Sequence, residues 1–291
     1  MKERRLFRTF EDPSFPILVK KFAPKRKMPV FTNIHWHPEV EFLLVESGEY
    51  LMYRDGEEMQ LHEGEVCPVP PNEIHCIRSL GEQGVYYSIV FSLDLIAMTG
   101  RHFFQESFVQ PLRQGKLQIP EKIGGSDPYY RSVWQALRQT VESRQKAEQF
   151  LGVMTACLAM MPYCTRNEKS GERRTEHQAV QHCIAYLNEN YQHKVTLEEL
   201  AEQVHLHPNY LCTIFHNDSG QTIFQYLTRI RLEKACELLR SGSSVTQVAE
   251  QCGFHNVSFF SRTFKATYGT TPKSFAKIYE NTELVKKVVA K

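Results

Sequence analysis

The chain has 291 residues, 42% of them apolar, which is more than one hydrophobic core usually serves and predicts two domains. Its formal net charge of +2 is too small to argue for a polyanionic partner, so the distribution of charge matters more than the sum. Eight cysteines without a C-x-x-C pair exclude a disulfide framework and a zinc-finger spacing and fit a reducing cytoplasm; the longest apolar run, 150–163, falls short of the roughly 20 residues of a membrane span.

Met1 to Phe10 is basic, but no apolar run follows, so a secretory leader is not expected. The whole segment Met1 to Pro29, rich in Lys and Arg, reads as an arm over a pocket or as a disordered tail. From about Val30 to Phe91, apolar and polar residues alternate between turn formers at Pro38, Gly48, Asp55-Gly56, Gly64, Pro68, Pro70-Pro71 and Gly84. That pattern predicts short strands closed into a small sandwich or barrel.

Within this stretch His35-Trp36-His37-Pro38-Glu39-Val40-Glu41 spells H-x-H-x3-E. On an extended strand His35, His37 and Glu41 share a face with Leu43 and Val45, which is the core face, while Glu39 follows Pro38 and its direction stays open. Buried polar groups need partners. The set, with His75 as fourth member, holds a divalent ion, binds a small polar ligand, or satisfies itself by hydrogen bonds. The segment Gly64-x5-Pro70-x-Asn72-x2-His75 completes a pattern that, over about Asn33 to Val90, resembles the cupin superfamily. The resemblance departs at Asn72, where the superfamily prefers Gly. It implies an effector site of His35, His37, Glu41 and His75, the same four being metal ligands if a divalent metal is bound; the aromatics Trp36, Tyr53 and Tyr87 read as lining of that effector pocket or as core.

From Asp127-Pro128 onward the apolar period changes to 3.6. Tyr130, Val133, Trp134, Leu137 and Val141 form one stripe, and Phe150, Val153, Met154, Cys157, Leu158 and Met161 a second, which predicts an antiparallel helical hairpin. Its exposed apolar surface suits a homodimer contact. Thr165 to Thr175 has no apolar residue and reads as a linker.

The remainder repeats itself. Leu200-Ala201-Glu202-Gln203-Val204-His205-Leu206 returns 48 residues later as Val248-Ala249-Glu250-Gln251-Cys252-Gly253-Phe254, and each copy is followed by a second apolar-periodic segment. Each unit reads helix, tight turn, helix. Thr196 with Glu199 and Ser244 with Gln247 are capping boxes. Gly253 suits the positive φ of the turn and His205 replaces it in the first copy; Pro208 suits a first helical turn, and Gly220 and Gly269 suit helix ends. Between the units, Thr222 to Leu239 predicts a stiff helix of about 27 Å, comparable with the roughly 34 Å between successive major grooves. From Glu176 to Glu250 five Lys/Arg stand against nine Asp/Glu, and from Gln251 to Lys291 seven stand against two, so the basic face belongs to the second unit.

Residues from about His177 to Ile278 resemble the DNA-binding domain of the AraC/XylS family of bacterial transcription regulators. The closing run Gly253-Phe254-x3-Ser258-Phe259-Phe260-Ser261-Arg262-x-Phe264-Lys265-x3-Gly269-x2-Pro272 is the most specific part. The resemblance implies base-edge contacts from Asn209, Cys212 and Thr213 in the first reading helix and from Val257, Ser258 and Arg262 in the second. His216, Asn256 and Lys265 extend the same DNA-binding surface, and Phe254, Phe260 and Phe264 are core. Where the family often has Arg or Lys in the first reading helix, this chain has Thr213, His216 and Asn217, so the second unit is expected to dominate affinity. Arg229 and Arg231 on the spacer read equally as a solvated face or as phosphate contacts.

The expected architecture is an all-β cupin-like barrel plus helical hairpin over 1–163, a linker over 164–175, an all-α double helix-turn-helix domain over 176–279, and a tail over 280–291. The expected function is a cytoplasmic, non-enzymatic transcription regulator that binds double-stranded DNA, answers to a small polar effector such as a sugar, and has a second copy and RNA polymerase as partners. The alternative is a metal-dependent cupin enzyme fused to a DNA-targeting domain.

Overall fold

The computed structural model describes residues 10–23, 34–54, 56–81, 83–97, 102–167 and 172–277. Contacts divide the chain into two compact units, Met1–Gln178 with Asp218–Gly220, and Ala179–Asn217 with Gln221–Lys291.

Among the described residues, the two larger sheets of the first unit are built from seven antiparallel strands: β1 (Ile17–Phe22), β2 (Val40–Ser47), β3 (Tyr50–Arg54), β4 (Glu57–Leu61), β5 (Val66–Val69), β6 (His75–Ser79) and β7 (Val85–Phe91). The orders are β1-β7-β2-β5 and β4-β3-β6. Between them lies one core of Leu43, Val45, Tyr50, Met52, Leu61, Cys67, Val69, Ile77 and Tyr86. The other face of the four-stranded sheet, with Val40, Phe42, Leu44, Ile89 and Phe91, packs against helical residues including Phe108, Leu112, Val133, Leu137 and Val153. β2 is therefore buried on both faces from Val40 to Val45, and Glu41 is the one charged residue within that buried run. The strand region begins earlier than the expected Val30. Ile17 to Phe22 pairs along β7, so that part of the anticipated arm is an edge strand; the rest of the arm at 1–9 and 24–29 lies outside the described residues.

Short helices α1 (Leu93–Ile96) and α2 (Gln110–Arg113) precede a two-residue strand, β8 (Leu117–Gln118). The expected hairpin is α3 (Tyr130–Glu142) and α4 (Lys146–Met160). Its helices meet at small residues: a Cβ on Gly152 would stand 2.1 Å from Thr140 Oγ1 and 2.6 Å from the Ala136 carbonyl oxygen. That approach fixes the rotation of α4. Val153, Ala156, Cys157 and Met160 are buried, whereas Leu158, expected on the packed stripe, faces solvent. Inside the stretch expected as linker, β9 (Thr165–Arg166) pairs with β8. Backbone hydrogen bonds join it to Leu117–Gln118 although Thr165–Arg166 itself brings no apolar side chain.

The second unit is helical. α5 (Glu172–Asn190) leads into α6 (Leu197–Gln203) and α7 (Pro208–Ser219), the spacer α8 (Ile223–Arg240), then α9 (Val245–Gln251) and α10 (Val257–Tyr268). Both expected capping boxes form, and Thr222 with Gln225 makes another at the start of α8. The two turns have the same hydrogen bonds at the same offset: the Leu206 amide donates to the Ala201 carbonyl at 3.0 Å, and the Phe254 amide to the Ala249 carbonyl at 2.9 Å. His205 sits at φ 54° and Gly253 at φ 77°, as the turns require. α8 runs unbroken through Tyr226, whose hydroxyl receives a 2.8 Å hydrogen bond from Asn188 Nδ2. Arg231 is half-buried and hydrogen-bonded to the backbone of the loop after α5. Its Nε donates to the Tyr191 carbonyl at 2.7 Å and its Nη2 to the His193 carbonyl at 2.8 Å.

Candidate functional site

Each second helix of the repeated units turns most of its apolar residues inward and presents a largely polar face, on which Tyr210 of α7 and Val257 and Phe259 of α10 are the exposed apolar residues. On α7, Leu211, Ile214 and Phe215 are buried, and Asn209, Cys212, Thr213 and His216 are exposed. These recur at three- and four-residue intervals and so share one face. On α10, Phe260 and Phe264 are buried, with Phe254 from the turn 5.0 Å from Phe260 and Phe275 5.4 Å from Phe264, ring centre to ring centre. Val257, Ser258, Arg262 and Lys265 face solvent. Arg262 and Lys265 form no ion pair among the described residues. Asn256 has a role that its place in the sequence pattern did not reveal: its Oδ1 accepts the Phe259 amide at 2.9 Å and caps α10. Thr213 donates its hydroxyl to the Asn209 carbonyl at 3.1 Å.

In the strand domain, the four residues expected to form the effector site come together. His35 is not on the strand that holds Glu41, since β2 begins only after Pro38. Paired backbone bonds to His75, 3.0 and 2.9 Å long, hold it instead. Asn72 at φ 64° turns the β5–β6 loop so that its amide reaches the His37 carbonyl at 2.7 Å. Asn tolerates this left-handed conformation, which explains how it stands in for Gly. Tyr53 alternates with the inward Met52 and lies on the outer face of its sheet, where burial raises its phenol pKa. Trp36 makes no ring contact with the histidines.

His37, Glu41 and His75 are buried, with His35 half-buried beside them. Glu41 Oε2 stands 2.9 Å from His37 Nε2 and 3.1 Å from His75 Nε2. Ser88, which sequence reasoning missed, donates its hydroxyl to Glu41 Oε1. The only signal for Ser88 was its parity with Tyr86 and Val90, which makes it a polar residue on an inward face.

The donor count tests whether a cation fits. His37 Nδ1 lies 3.1 Å from the Glu39 carbonyl oxygen and His75 Nδ1 2.8 Å from that of Glu73. A carbonyl only accepts, so both Nδ1 atoms carry hydrogen, and in neutral imidazole both Nε2 atoms then turn lone pairs toward a carboxylate. Two buried imidazoliums around one carboxylate, or one cation among the lone pairs, would resolve the repulsion. The ligand atoms of His35, His37, Glu41 and His75 all lie within 4.8 Å of one another. Ligands about 2.1 Å from an ion at right angles stand about 3 Å apart, as His37 Nε2 and His75 Nε2 each do from Glu41 Oε2. The residues fit a divalent ion, which when bound would supply Lewis acidity.

Residues 21–91 match a cupin domain model and residues 200–278 a helix-turn-helix domain model. The chain is 23% identical over 288 residues to the HTH-type transcriptional regulator YdeC of Bacillus subtilis (strain 168), covering 96% of each. It is 26% identical over 275 residues to the HTH-type transcriptional activator RhaS of Salmonella schwarzengrund (strain CVM19633), covering 91% of this chain and 93% of that one. The chain belongs to the AraC/XylS family of transcription regulators. A crystal structure of ToxT from Vibrio cholerae shares the fold of this regulator, with TM-score 0.51 and 12% identity over 90% of this chain and 98% of that one. No helix among the described residues of the regulator is long and apolar enough to cross a membrane.

Proposed function

We propose that the regulator reads specific double-stranded DNA through the exposed faces of α7 and α10, with Asn209, Cys212, Thr213, His216, Asn256, Val257, Ser258, Arg262 and Lys265 as the contact surface. In this reading the cluster of His35, His37, Glu41 and His75 receives a small polar effector, a sugar or related metabolite, in the cytoplasm. The observation that carries the reading is the repeated, doubly capped helix-turn-helix unit on an unbroken spacer helix. Leu151 and Leu158, 55% and 48% exposed on α4, support a homodimer through the hairpin. RNA polymerase is the further partner.

Arg262 can bond guanine bidentately and Lys265 can neutralise phosphate, while α7 offers no Lys or Arg, so the second unit supplies most of the affinity. Arg262→Ala should weaken DNA binding more than Thr213→Ala, and the opposite order in a binding titration overturns this. Thermal shift against a panel of sugars and metabolites tests the effector, because a ligand of the folded state raises the melting temperature. A shift that persists in Glu41→Ala places the ligand elsewhere.

The donor geometry around Glu41 favours one second reading, in which the cluster holds a divalent metal and serves a metal-dependent enzyme carried on a DNA-targeting domain. Stoichiometric metal in the purified chain that is lost in His75→Ala supports the metal site; turnover of a substrate by that metal form would be needed for the enzyme.

A further inference from the structure

The outward positions of the two reading helices mix groups that hydrogen-bond with groups that cannot. On α7, Asn209 offers an amide, and the exposed Cys212 offers a small, weakly polar thiol. Thr213 has already spent its hydroxyl hydrogen on the Asn209 carbonyl. On α10, Arg262 offers its full fork of donors, whereas Val257 in the first turn is 38% exposed. Phe259, also exposed, leans on Phe254 at 6.3 Å between ring centres. Val257 thus shows apolar surface beside Ser258 and the cap residue Asn256, on the helix face that carries no structural burden.

In the major groove the apolar group on a base edge is the C5 methyl of thymine. Thymine is therefore the base that rewards a valine or a cysteine at a reading position, since valine has no hydrogen-bonding group and a thiol only a weak one for the donors and acceptors of the other edges. We infer that Cys212 and Val257 read thymine methyl groups, one in each half of the operator, beside an adenine for Asn209 and a guanine for Arg262. This rests on the DNA-binding reading of α7 and α10 proposed above. It adds a chemical identity for the bases under each helix.

Duplexes selected from a random pool by the full chain, each thymine then replaced singly by deoxyuridine, isolate the methyl group and nothing else. Burying one methyl is worth about fourfold in affinity. One replacement in each half-site should weaken binding by about that factor. Val257→Ala should abolish the sensitivity in one half and Cys212→Ser in the other, with an unchanged melting temperature as evidence that the variants fold. Uniform tolerance of deoxyuridine, or sensitivity that survives in both variants, overturns the inference while leaving DNA reading intact. Failure to select any sequence overturns the DNA reading itself and the inference with it.

Discussion

Gly253 approaches the backbone of Tyr191 so closely that a Cβ there would lie 2.7 Å from the Tyr191 carbonyl oxygen, with the Gln192 carbonyl oxygen at 2.8 Å and Arg231 Nε at 3.1 Å. Two requirements coincide at this residue. The turn needs φ 77°, and the loop after α5 needs the space a side chain would take. Two backbone oxygens cannot swing aside as the end of a flexible side chain would.

Gly253→Ala should therefore cost more than the left-handed conformation alone, about 2–4 kcal/mol in urea unfolding of the full chain. The equivalent turn in the first unit uses His205 at φ 54°, where only the conformational cost applies. His205→Gly should raise stability by about 0.5 kcal/mol. If Gly253→Ala unfolds at the same urea concentration as the unaltered chain, the close approach to Tyr191 is wrong.

Arg231 and Lys265 separate structural charge from the charge proposed to face DNA. The guanidinium of Arg231 satisfies two loop carbonyls and lies 6.0 Å from the Phe254 ring centre, so Arg231→Ala should lower stability by about 1–3 kcal/mol. It should leave the salt dependence of DNA binding as it was. Lys265→Ala should behave the other way, reducing the slope of log affinity against log salt by about one while leaving the melting temperature in place. Exchange of these two outcomes in binding and melting experiments would reverse the assignments.

How much could be read from the chain depended on how local each signal is. The two helix-turn-helix units rest on contacts four or five residues apart, and both boxes, the left-handed turn at His205 and the end at Gly269 appear as residue types in order. The His35, His37, Glu41 and His75 set was also legible, because period-two parity survives even though a bridge to His75, not the strand itself, holds His35. Ile17 to Phe22 was not. An edge strand is defined by its partner Val85–Phe91, far along the chain, and Ile17-Leu18-Val19-Lys20-Lys21-Phe22 has little alternation to betray it. Arg231 was ambiguous for the same reason, since its two carbonyl partners belong to another segment. Leu158 was misplaced because α4 is apolar almost all round, so periodicity could not choose the face that Gly152 fixes.

That helix contact has its own consequence. With Thr140 Oγ1 and the Ala136 carbonyl oxygen where a side chain would begin, Gly152→Val should force α3 and α4 apart. The cost should be at least about 3 kcal/mol, seen as a lower melting temperature, and Thr140→Ala, which removes the hydroxyl, should not restore it because the Ala136 carbonyl still obstructs. An unchanged melting temperature would mean that the helices do not cross at this point.

The last expectation concerns pH. Burial holds the Glu233 carboxyl up to about 7, the Glu237 charge pushing the same way, against the pull of Arg229, whose Nε is 3.8 Å away, and of Lys234. In the unfolded chain this carboxyl titrates near 4.5. Below 4.5 it is protonated in both states and its neutral form is fully compatible with the fold. Between 4.5 and about 7 the unfolded state ionises first, so stability falls as pH rises, and above that the loss is complete. Paired carboxylates such as Glu46 and Glu65 are shifted down and contribute the opposite slope at lower pH, so the informative quantity is the difference between the unaltered chain and Glu233→Gln. The variant should gain stability relative to the unaltered chain steadily from pH 4.5 to 7 and hold that gain above it. A difference that does not change with pH would show that Glu233 ionises normally in the folded protein.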